Sequence, residues 1–291
     1  MRLIKMGLDF SGIVPADAWY KYGVYLLMDN RFKEAIPYFD KTLELDPDLS
    51  EAWNARGLAF HFLNRYNEAI ESYDNALKVD PLNSIVWHRR GIAFHELRQD
   101  ADAIISYDKV LEIDTNNFDA WFNRGLSLGR CRKYEEAIDA YDKVLMLNPI
   151  YYEAWHNRGI ALYNLDRNAE AVVSLDNRLK LNPENYEAWY YRGLALSRLS
   201  RYEEAIVSND NVLKINPDFS LAWQNRGVAL SNLDRYEEAI ASYDKMLESD
   251  PYFSGAWLSR GFALSKIGRY EEAAASYDKA TEIDSDYDEV L

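Results

Sequence analysis

The sequence has little cysteine, a shortage of basic residues and no long apolar run, and each shortage excludes a class of protein. A single Cys among 291 residues leaves no partner for an intrachain disulfide or a Cys-rich zinc site, and is typical of a reducing compartment. The formal net charge of −15 argues against nucleic acid and anionic membranes as partners. No apolar run approaches the ~18 residues of a membrane-spanning helix, and Lys5 and Asp9 interrupt any signal peptide. The composition therefore predicts a soluble, acidic, cytoplasmic protein.

The chain repeats itself every 34 residues, and three residue types carry the period. Each of the eight tryptophans is followed by Gly four residues later and by Ala sixteen residues later. Pro falls twenty-eight residues after Trp in six of the eight units, with Thr115 and Ser285 in the other two. The tryptophans are Trp19, Trp53, Trp87, Trp121, Trp155, Trp189, Trp223 and Trp257. Such a period identifies a repeat array.

The period divides the chain into eight units, in which Trp holds position 4. The units are 16–49, 50–83, 84–117, 118–151, 152–185, 186–219, 220–253 and 254–287. Segment 1–15 precedes them, and 288–291 has the pattern of the start of a further helix. Each unit predicts two amphipathic helices, because apolar residues recur at steps of three and four on both sides of a polar turn such as Asp234-Arg235. One pair cannot bury its apolar face alone, so neighbouring pairs must stack.

This pattern resembles the tetratricopeptide repeat family in its period and in its Trp, Gly, Tyr, Ala and Pro positions. The resemblance implies an all-α fold, an alpha-alpha superhelix of antiparallel helix pairs whose first helices line a concave groove. Members of the family mostly bind peptides or helices there and rarely catalyse a reaction. We therefore expect a protein-interaction scaffold that is no enzyme and needs no cofactor.

The groove of the resembled family is lined by positions 2, 5, 6, 9, 12 and 13. A carboxylate clamp found in some members needs Asn at position 9, which is apolar in every unit here. We expect an extended peptide or an amphipathic helix instead, because aromatic rings supply contact area and amides bond a backbone. The candidate residues are Tyr20, Asn54, Phe62, His88, Arg89, Phe122, Asn123, His156, Asn157, Tyr163, Tyr190, Tyr191, Gln224, Asn225 and Leu258. An alternative, compatible interpretation is that the position 9 residues pack against adjacent first helices.

Two charged rows follow the period. Arg holds position 7 in every unit except the first, where Tyr22 stands, and Asp holds position 25 in all eight. We predict that each Arg reaches back to the Asp of the preceding unit, with two parallel hydrogen bonds fixing the stacking register. In the alternative interpretation, both rows are solvated. Acids at position 2 of five units are explained either by the helix dipole or by an acidic rim that selects basic segments.

The histidines and the cysteine give no sign of a metal site. All four histidines fall on first helices, but no His-Glu-x-x-His pattern accompanies them. We expect them to be polar groove residues or a pH-sensitive patch. Cys131 stands at position 14, which is Leu or Ile in six other units, so it is predicted to be a small buried hydrophobe.

The ends of the chain and one unit depart from the pattern. Segment 1–15 is too apolar for a free tail, so it either caps the first unit or reaches into a neighbour's groove. No polar-faced closing helix follows the last unit. The chain is then either a fragment of a longer protein, such as the targeting arm of an enzyme, or a homo-oligomer that self-assembles through its open ends. Unit 5 carries Asn168, Leu175 and Arg178 at positions 17, 24 and 27, which indicates tolerated drift or a hinge.

Overall fold

A computed structural model of the chain describes the backbone of residues 14–288 and the side chains of residues 14–285, and this range contains sixteen α-helices and no strand. The helices fall into two compact halves, described separately below; one ends at Asn148 and the other begins at Pro149. The prediction of two helices in each unit is confirmed, and we now call the units repeats 1–8. No helix within residues 14–288 is long and apolar enough to cross a membrane.

The N-terminal half contains the helix pairs of repeats 1–4. Its helices are α1 (Ala16–Met28), α2 (Phe32–Leu45), α3 (Ser50–Phe62), α4 (Tyr66–Val79), α5 (Ser84–Glu96), α6 (Asp100–Ile113), α7 (Phe118–Arg130) and α8 (Tyr134–Leu147). The C-terminal half contains repeats 5–8. Its helices are α9 (Tyr152–Asn164), α10 (Asn168–Leu181), α11 (Tyr186–Arg198), α12 (Tyr202–Ile215), α13 (Ser220–Asn232), α14 (Tyr236–Ser249), α15 (Ser254–Lys266) and α16 (Tyr270–Asp288).

The two helices of a repeat meet where an aromatic ring lies against a glycine. The ring of Tyr73 is fully buried, and a Cβ added to Gly57 would lie 2.5 Å from its Cε1 atom. Position 8 therefore has to be glycine wherever position 24 carries a ring. Repeats 5 and 6 place Leu175 and Asn209 at position 24, and the Asn leaves more room beside Gly193, 3.2 Å from an added Cβ.

The turn between the two helices contains a residue in the left-handed conformation at position 15. Asp234 has φ 58°, as the predicted polar turn requires, and only Gly268 is glycine among the eight equivalent residues. In repeat 2 the amide of Arg65 donates to the carbonyl of Phe60 at 2.9 Å and so closes α3. This is a common way to satisfy the last carbonyls of a helix.

Successive repeats are joined by the indole of Trp at position 4. Trp53 Nε1 donates to the carbonyl oxygen of Pro47 at 2.9 Å, in the loop before its own helix. Trp121 makes the same bond at 2.9 Å to Thr115, which replaces the proline in repeat 3. The bond needs only a carbonyl, so the loop keeps its attachment without the proline ring.

The predicted Arg–Asp ladder between repeats is confirmed within both halves. Arg56 Nε donates to Asp40 Oδ1 at 2.7 Å, across the boundary between repeats 1 and 2. The equivalent pairs are Arg90–Asp74, Arg124–Asp108, Arg192–Asp176, Arg226–Asp210 and Arg260–Asp244. The predicted second hydrogen bond goes to a serine instead of the carboxylate. Arg56 Nη1 donates to Ser72 Oγ of its own repeat at 2.8 Å. The guanidinium therefore links three helices.

The prediction of a buried cysteine is wrong, because Cys131 is exposed. It is the C-cap residue of α7, next to Arg132 in the left-handed conformation. In neighbouring repeats the same position carries Leu63 or Leu97, which packs against the core. The thiol of Cys131 extends only one heavy atom beyond Cβ, and it stays outside.

Repeat 5 buries the polar residues that set it apart. Asn168 and Arg178 are 8% and 5% exposed, and the Arg178 guanidinium lies 4.5 Å from the centre of the Tyr152 ring. Burial lowers the pKa of Arg178. The hinge at this repeat stays a prediction. The predictions for residues 1–13 and 289–291 lie outside the described residues.

Candidate interaction surface on the first helices

Within each half, the first helices of neighbouring repeats touch one another. We call the surface formed by their side chains at positions 5, 6, 9, 12 and 13 the first-helix face. Most position 9 residues are half-buried in it, and Val24 and Ile92 pack against the core. Val228 and Phe262, in the last two repeats, are more exposed, at 36% and 45%. The apolar floor is therefore mostly packed and opens towards α15.

Positions 5 and 6 form a second row of contacts between repeats, 35 residues apart in sequence. Arg89 Nη1 donates to Asn54 Oδ1 at 2.8 Å, and the Asn123 amide lies 3.0 Å from His88 Nε2. These four candidate residues therefore pair with one another across repeats. At positions 5 and 6 of the N-terminal half, much of the hydrogen-bonding capacity is therefore used internally.

Repeat 3 places an acid, Asp100, at position 17, where most repeats carry an aromatic residue. Asp100 is 9% exposed, and its Oδ1 atom lies 2.9 Å from His95 Nδ1. Ser127 Oγ lies 2.9 Å from the same nitrogen, and Arg130 Nε is 3.2 Å from Asp100 Oδ2. A hydrolase relay requires the acid and the hydroxyl on different ring nitrogens. Ser127, His95 and Asp100 therefore form a structural cluster that ties α5 and α6 to α7.

All four histidines are partly buried on first helices, and burial lowers the pKa of each imidazole. Nearby acids oppose this shift, Asp119 beside His88 and Glu187 beside His156. Arg130 adds to the lowering of the pKa of His95, and burial is the main cause for His61. Among the described residues no group of three His, Cys, Asp or Glu side chains is arranged to hold a metal ion.

The C-terminal half carries a cluster of aromatic rings on its first-helix face. Tyr163, Tyr190 and Tyr191 were predicted as candidates, and the structure brings all three together. The Tyr191 ring centre lies 5.8 Å from Tyr163 and 5.6 Å from Tyr190. Tyr190 also lies 5.0 Å from Phe219, at right angles to it. Such edge-to-face pairs are favourable and keep the rings in place.

Phe219 belongs to this cluster although it precedes the helix α13. It stands at position 34, where Asn83, Asn117 and Asn185 cap the first helix of the next repeat by accepting a backbone N–H. Phe219 makes no side-chain cap. The chain thus has a phenyl ring against Tyr190 at a position that caps a helix in three other repeats.

A cavity of about 370 Å³ lies between α13 and α15. Three of its walls are the exposed apolar side chains Val228, Leu258 and Phe262, and polar groups complete it. The full lining is Val228, Ser231, Asn232, Tyr243, Leu258, Ser259 and Phe262. The Tyr243 hydroxyl lies 3.2 Å from Ser231 Oγ at its base.

The cavity is open because position 6 of repeat 8 is small. Ser259 holds the position at which repeats 6 and 7 carry Tyr191 and Asn225. Its hydroxyl lies 3.4 Å from Gln224 Nε2. This is the same contact between positions 5 and 6, at a longer distance than in the N-terminal half. Gln224 Oε1 and Asn225 Nδ2 are buried without a hydrogen-bond partner. The rest of each amide is engaged, since Gln224 Nε2 contacts Ser259 Oγ and the Asn225 side chain hydrogen-bonds Tyr190.

The remaining candidates lie on the first helices without forming one site. Phe62 is 52% exposed and stacks on Phe32, with ring centres 4.6 Å apart. Tyr20 and Phe122 lie half-buried near the position 24 rings, and Asn157 Nδ2 donates to the Glu153 carbonyl. His156 faces Glu187 at 3.9 Å.

Sequence reasoning missed four residues of the C-terminal surface. They are Phe219, Ser231, Tyr243 and Ser259. The signal for Ser259 was present, because it is the smallest polar residue at position 6. Phe219 carried no distinctive signal, because Tyr151 and Phe253 also place a ring at position 34.

Comparison with family models matches the tetratricopeptide repeat over most of the chain. The matched residues are 16–49, 50–83, 85–117, 118–151, 186–219, 220–253 and 254–287. A model of the protein prenyltransferase alpha subunit repeat matches residues 169–199, which include the irregular second helix of repeat 5. A search of curated proteins found no match.

Three solved structures illustrate the likeness in fold. The C-terminal part of a TPR repeat-containing protein from Cytophaga hutchinsonii has a TM-score of 0.67 and 20% identity, covering 81% of this chain and 97% of that one. YrrB, described as a TPR protein with an unusual peptide-binding site, has a TM-score of 0.59 and 23% identity over 64% of this chain and 96% of its own. MamA from Desulfovibrio magneticus RS-1 has a TM-score of 0.56 and 24% identity over 58% and 96%.

These likenesses agree with the paired helices and the 34-residue period. The fold is an all-α solenoid of antiparallel helix pairs, of the kind that generally serves as a protein-interaction scaffold. The chain belongs to the tetratricopeptide repeat family.

Proposed function

We propose that this chain binds a peptide or an amphipathic helix along its first-helix face, in the concave groove expected of the family, and that the ligand is anchored in the C-terminal half. The observation that carries the proposal is the cavity between α13 and α15. Its volume of about 370 Å³ and its three exposed apolar walls suit one or two apolar side chains of a partner. Binding energy at protein interfaces is concentrated in such pockets.

The aromatic cluster beside the cavity extends the binding surface. Tyr163, Tyr190 and Tyr191 offer large, fixed contact area, and the amide side chains of Gln224 and Asn225 beside them are of the type that bonds a peptide backbone. The comparison with YrrB adds a related fold whose description includes a peptide-binding site.

The charges favour a ligand with neutral or basic flanks. Arg198 forms an ion pair with Asp166 and lies over the Tyr163 ring, and Lys266 lies 5.2 Å from the centre of the Phe262 ring. These cations already contact groups of their own chain, while Glu187 is exposed beside the tyrosines. The chain as a whole carries a net charge of −15, which speeds association with basic segments and repels acidic ones.

In this proposal the protein is a non-catalytic scaffold that needs no cofactor. Its partner is a protein segment, and neither nucleic acid nor a membrane is expected. The single cysteine and the acidic composition support a cytoplasmic location.

A selection from a displayed library of random peptides tests this function with a defined probe. The full chain is the bait, and each recovered peptide is measured against the Phe262→Glu variant, whose carboxylate would be placed in the apolar wall. The matched control is Val207→Glu, which adds the same charge to a side chain of α12 that is 54% exposed.

We expect Phe262→Glu to weaken binding about 100-fold, because a hot-spot contact contributes roughly 2–4 kcal/mol. Val207→Glu should bind like the parent. Circular dichroism and a melting curve confirm that both variants fold alike. Peptides that bind the parent and Phe262→Glu equally well, but lose affinity for Val207→Glu, would place the binding surface on the second helices and refute the proposal.

A further inference from the structure

The cavity between α13 and α15 is bounded by two serines at positions where repeats 5 and 6 have tyrosines. Position 12 is Ser231 in repeat 7 and Tyr163 in repeat 5. Position 6 is Ser259 in repeat 8 and Tyr191 in repeat 6. The two tyrosine rings meet with their centres 5.8 Å apart, whereas the two serines line a cavity of about 370 Å³. The cavity therefore lies where tyrosine rings pack two repeats earlier.

Three hydroxyl groups meet in the lining of this cavity. The Tyr243 hydroxyl lies 3.2 Å from Ser231 Oγ and also hydrogen-bonds Ser259. Burial raises the pKa of Tyr243, so its phenol keeps the proton. Ser259 Oγ donates its own proton to the carbonyl oxygen of Gly255 at 2.8 Å. A serine hydroxyl has only one proton, so Ser259 acts as an acceptor towards its other neighbours.

The bond from Ser259 to the backbone sets the direction of the other two hydrogen bonds. Tyr243 donates to Ser259, and Ser231 then donates to the oxygen of Tyr243. Hydrogen bonds that follow one another in this way strengthen each other. Ser231 Oγ keeps acceptor capacity at the end of this chain, because its one proton is used. The hydroxyl groups of the cavity therefore favour a ligand group that donates a hydrogen bond.

The remaining walls of the cavity favour a neutral, largely apolar side chain. Val228, Leu258 and Phe262 are exposed apolar walls, and none of the lining residues is charged. A lysine or arginine of the ligand would therefore be buried there without an acid to pair with, which is unfavourable. Lys266, whose ammonium lies 5.2 Å from the centre of the Phe262 ring, would also repel it. The donor must therefore be neutral and carried on an apolar group.

We propose that the side chain anchored in this cavity is a tyrosine of the partner, with its ring against the apolar walls and its hydroxyl donating to Ser231 Oγ. The inference rests on the peptide binding proposed above and names the residue that the cavity selects. The phenol hydroxyl stands at the far end of the ring, so it reaches the serine while the ring stays among apolar groups. Phenylalanine has no donor, and tryptophan has its N–H on the side of the ring, where the walls are apolar.

A double-mutant cycle between peptide and protein tests this selectivity. The probes are the peptides from the displayed library that bind the parent chain but lose affinity for Ser259→Tyr, which fills the cavity. Each tyrosine of a probe is replaced by phenylalanine in turn, and affinities are measured by calorimetric titration against the parent and Ser231→Ala. The matched control is Ser265→Ala, which removes the same hydroxyl at position 12 of repeat 8. Ser265 Oγ donates to the Phe262 carbonyl and does not line the cavity.

We expect each probe to contain one tyrosine whose replacement by phenylalanine weakens binding to the parent about fivefold, as the loss of one hydrogen bond does. With Ser231→Ala the tyrosine and phenylalanine peptides should bind within about twofold of each other, because the acceptor is gone. With Ser265→Ala the fivefold difference should remain. Circular dichroism and melting curves confirm that the three variants fold like the parent.

The contrary outcomes separate this inference from the function on which it rests. Probes that need the cavity but contain no tyrosine would overturn the tyrosine anchor and leave peptide binding in place. A tyrosine-to-phenylalanine loss of the same size in the parent and in Ser231→Ala would overturn it too, because the hydroxyl would then not be bound by Ser231. If no recovered peptide loses affinity for Ser259→Tyr, the proposed function itself is refuted, and the tyrosine anchor with it.

Discussion

The first-helix faces of the two halves are built on the same helix pairs but offer different surfaces. In the N-terminal half, positions 5 and 6 pair with each other, as in Arg89–Asn54 and Asn123–His88. In the C-terminal half the same positions also meet, as in Tyr190–Asn225 and Gln224–Ser259, but they include a cluster of tyrosine rings and leave an open cavity beside Ser259. The scaffold positions 7, 8 and 25 are nearly constant in both. We therefore propose that binding depends on the few positions that vary, and that it is strongest where they leave rings and a cavity open.

The largest expected effect comes from giving position 6 of repeat 8 the same residue as position 6 of repeat 6. Ser259→Tyr places at position 6 of repeat 8 the residue that repeat 6 has there, and it fills the cavity. We expect ~100-fold weaker binding of the selected peptides, a loss of roughly 3 kcal/mol, measured by calorimetric titration. Asn123→Ala changes position 6 in the N-terminal half and should change affinity less than about threefold. Equal losses in the two variants would show that the halves do not differ in this way.

A second test compares the cost of replacing the position 8 glycine in a repeat with a ring at position 24 and in a repeat without one. Gly57→Ala would place a Cβ 2.5 Å from the Tyr73 ring, whereas Gly193→Ala meets Asn209 at 3.2 Å. We expect Gly57→Ala to lower the free energy of unfolding by roughly 2 kcal/mol, as overpacking does. Gly193→Ala should be close to neutral, because the better helix propensity of Ala offsets the tighter contact. Urea denaturation of both variants checks this, and equal costs would contradict the role of the ring.

The histidines make the N-terminal half the more sensitive to pH. Three of the four, His61, His88 and His95, lie there, and burial lowers the pKa of each. The unfolded chain therefore binds protons first, from pH ~6.5 downward, and stability falls as pH drops through this value. We expect α3 to α7 to lose amide protection between pH 7.5 and 5.5, after correction for intrinsic exchange rates. NMR titration of the imidazoles should give pKa values below ~6.5, and higher values would contradict the account.

The smallest effect concerns a residue where stability and binding compete. Phe219→Asn restores at position 34 the cap that Asn117 and Asn185 provide to their helices. We expect the free energy of unfolding to rise by about 0.5–1 kcal/mol from the cap, reduced by the lost ring contacts. Peptide affinity should fall several-fold, because Tyr190 loses its neighbour. A variant that is stabilised and binds unchanged would remove Phe219 from the surface.

Much of the architecture could be predicted from the sequence, because a contact that recurs in every repeat requires the same residue type at the same position. The helix pairs, the Tyr73 ring against Gly57 and the Arg56–Asp40 pair all follow from the period. Pairing between positions 5 and 6 was missed because its partners change type from repeat to repeat. The cavity at Ser259 and the exposure of Cys131 were missed for a related reason. Each depends on one short side chain in a single repeat, and a pattern shared by eight units does not show such an exception.

We propose that the ligand lies on the first-helix face of the C-terminal half. Hydrogen exchange of the full chain, with and without a saturating selected peptide, locates the bound ligand on the helices. We expect added protection in α11, α13 and α15, with the greatest change around Phe262 and Tyr190. Protection confined to the second helices α10, α12 and α14, or to α3, α5 and α7 of the N-terminal half, would contradict it.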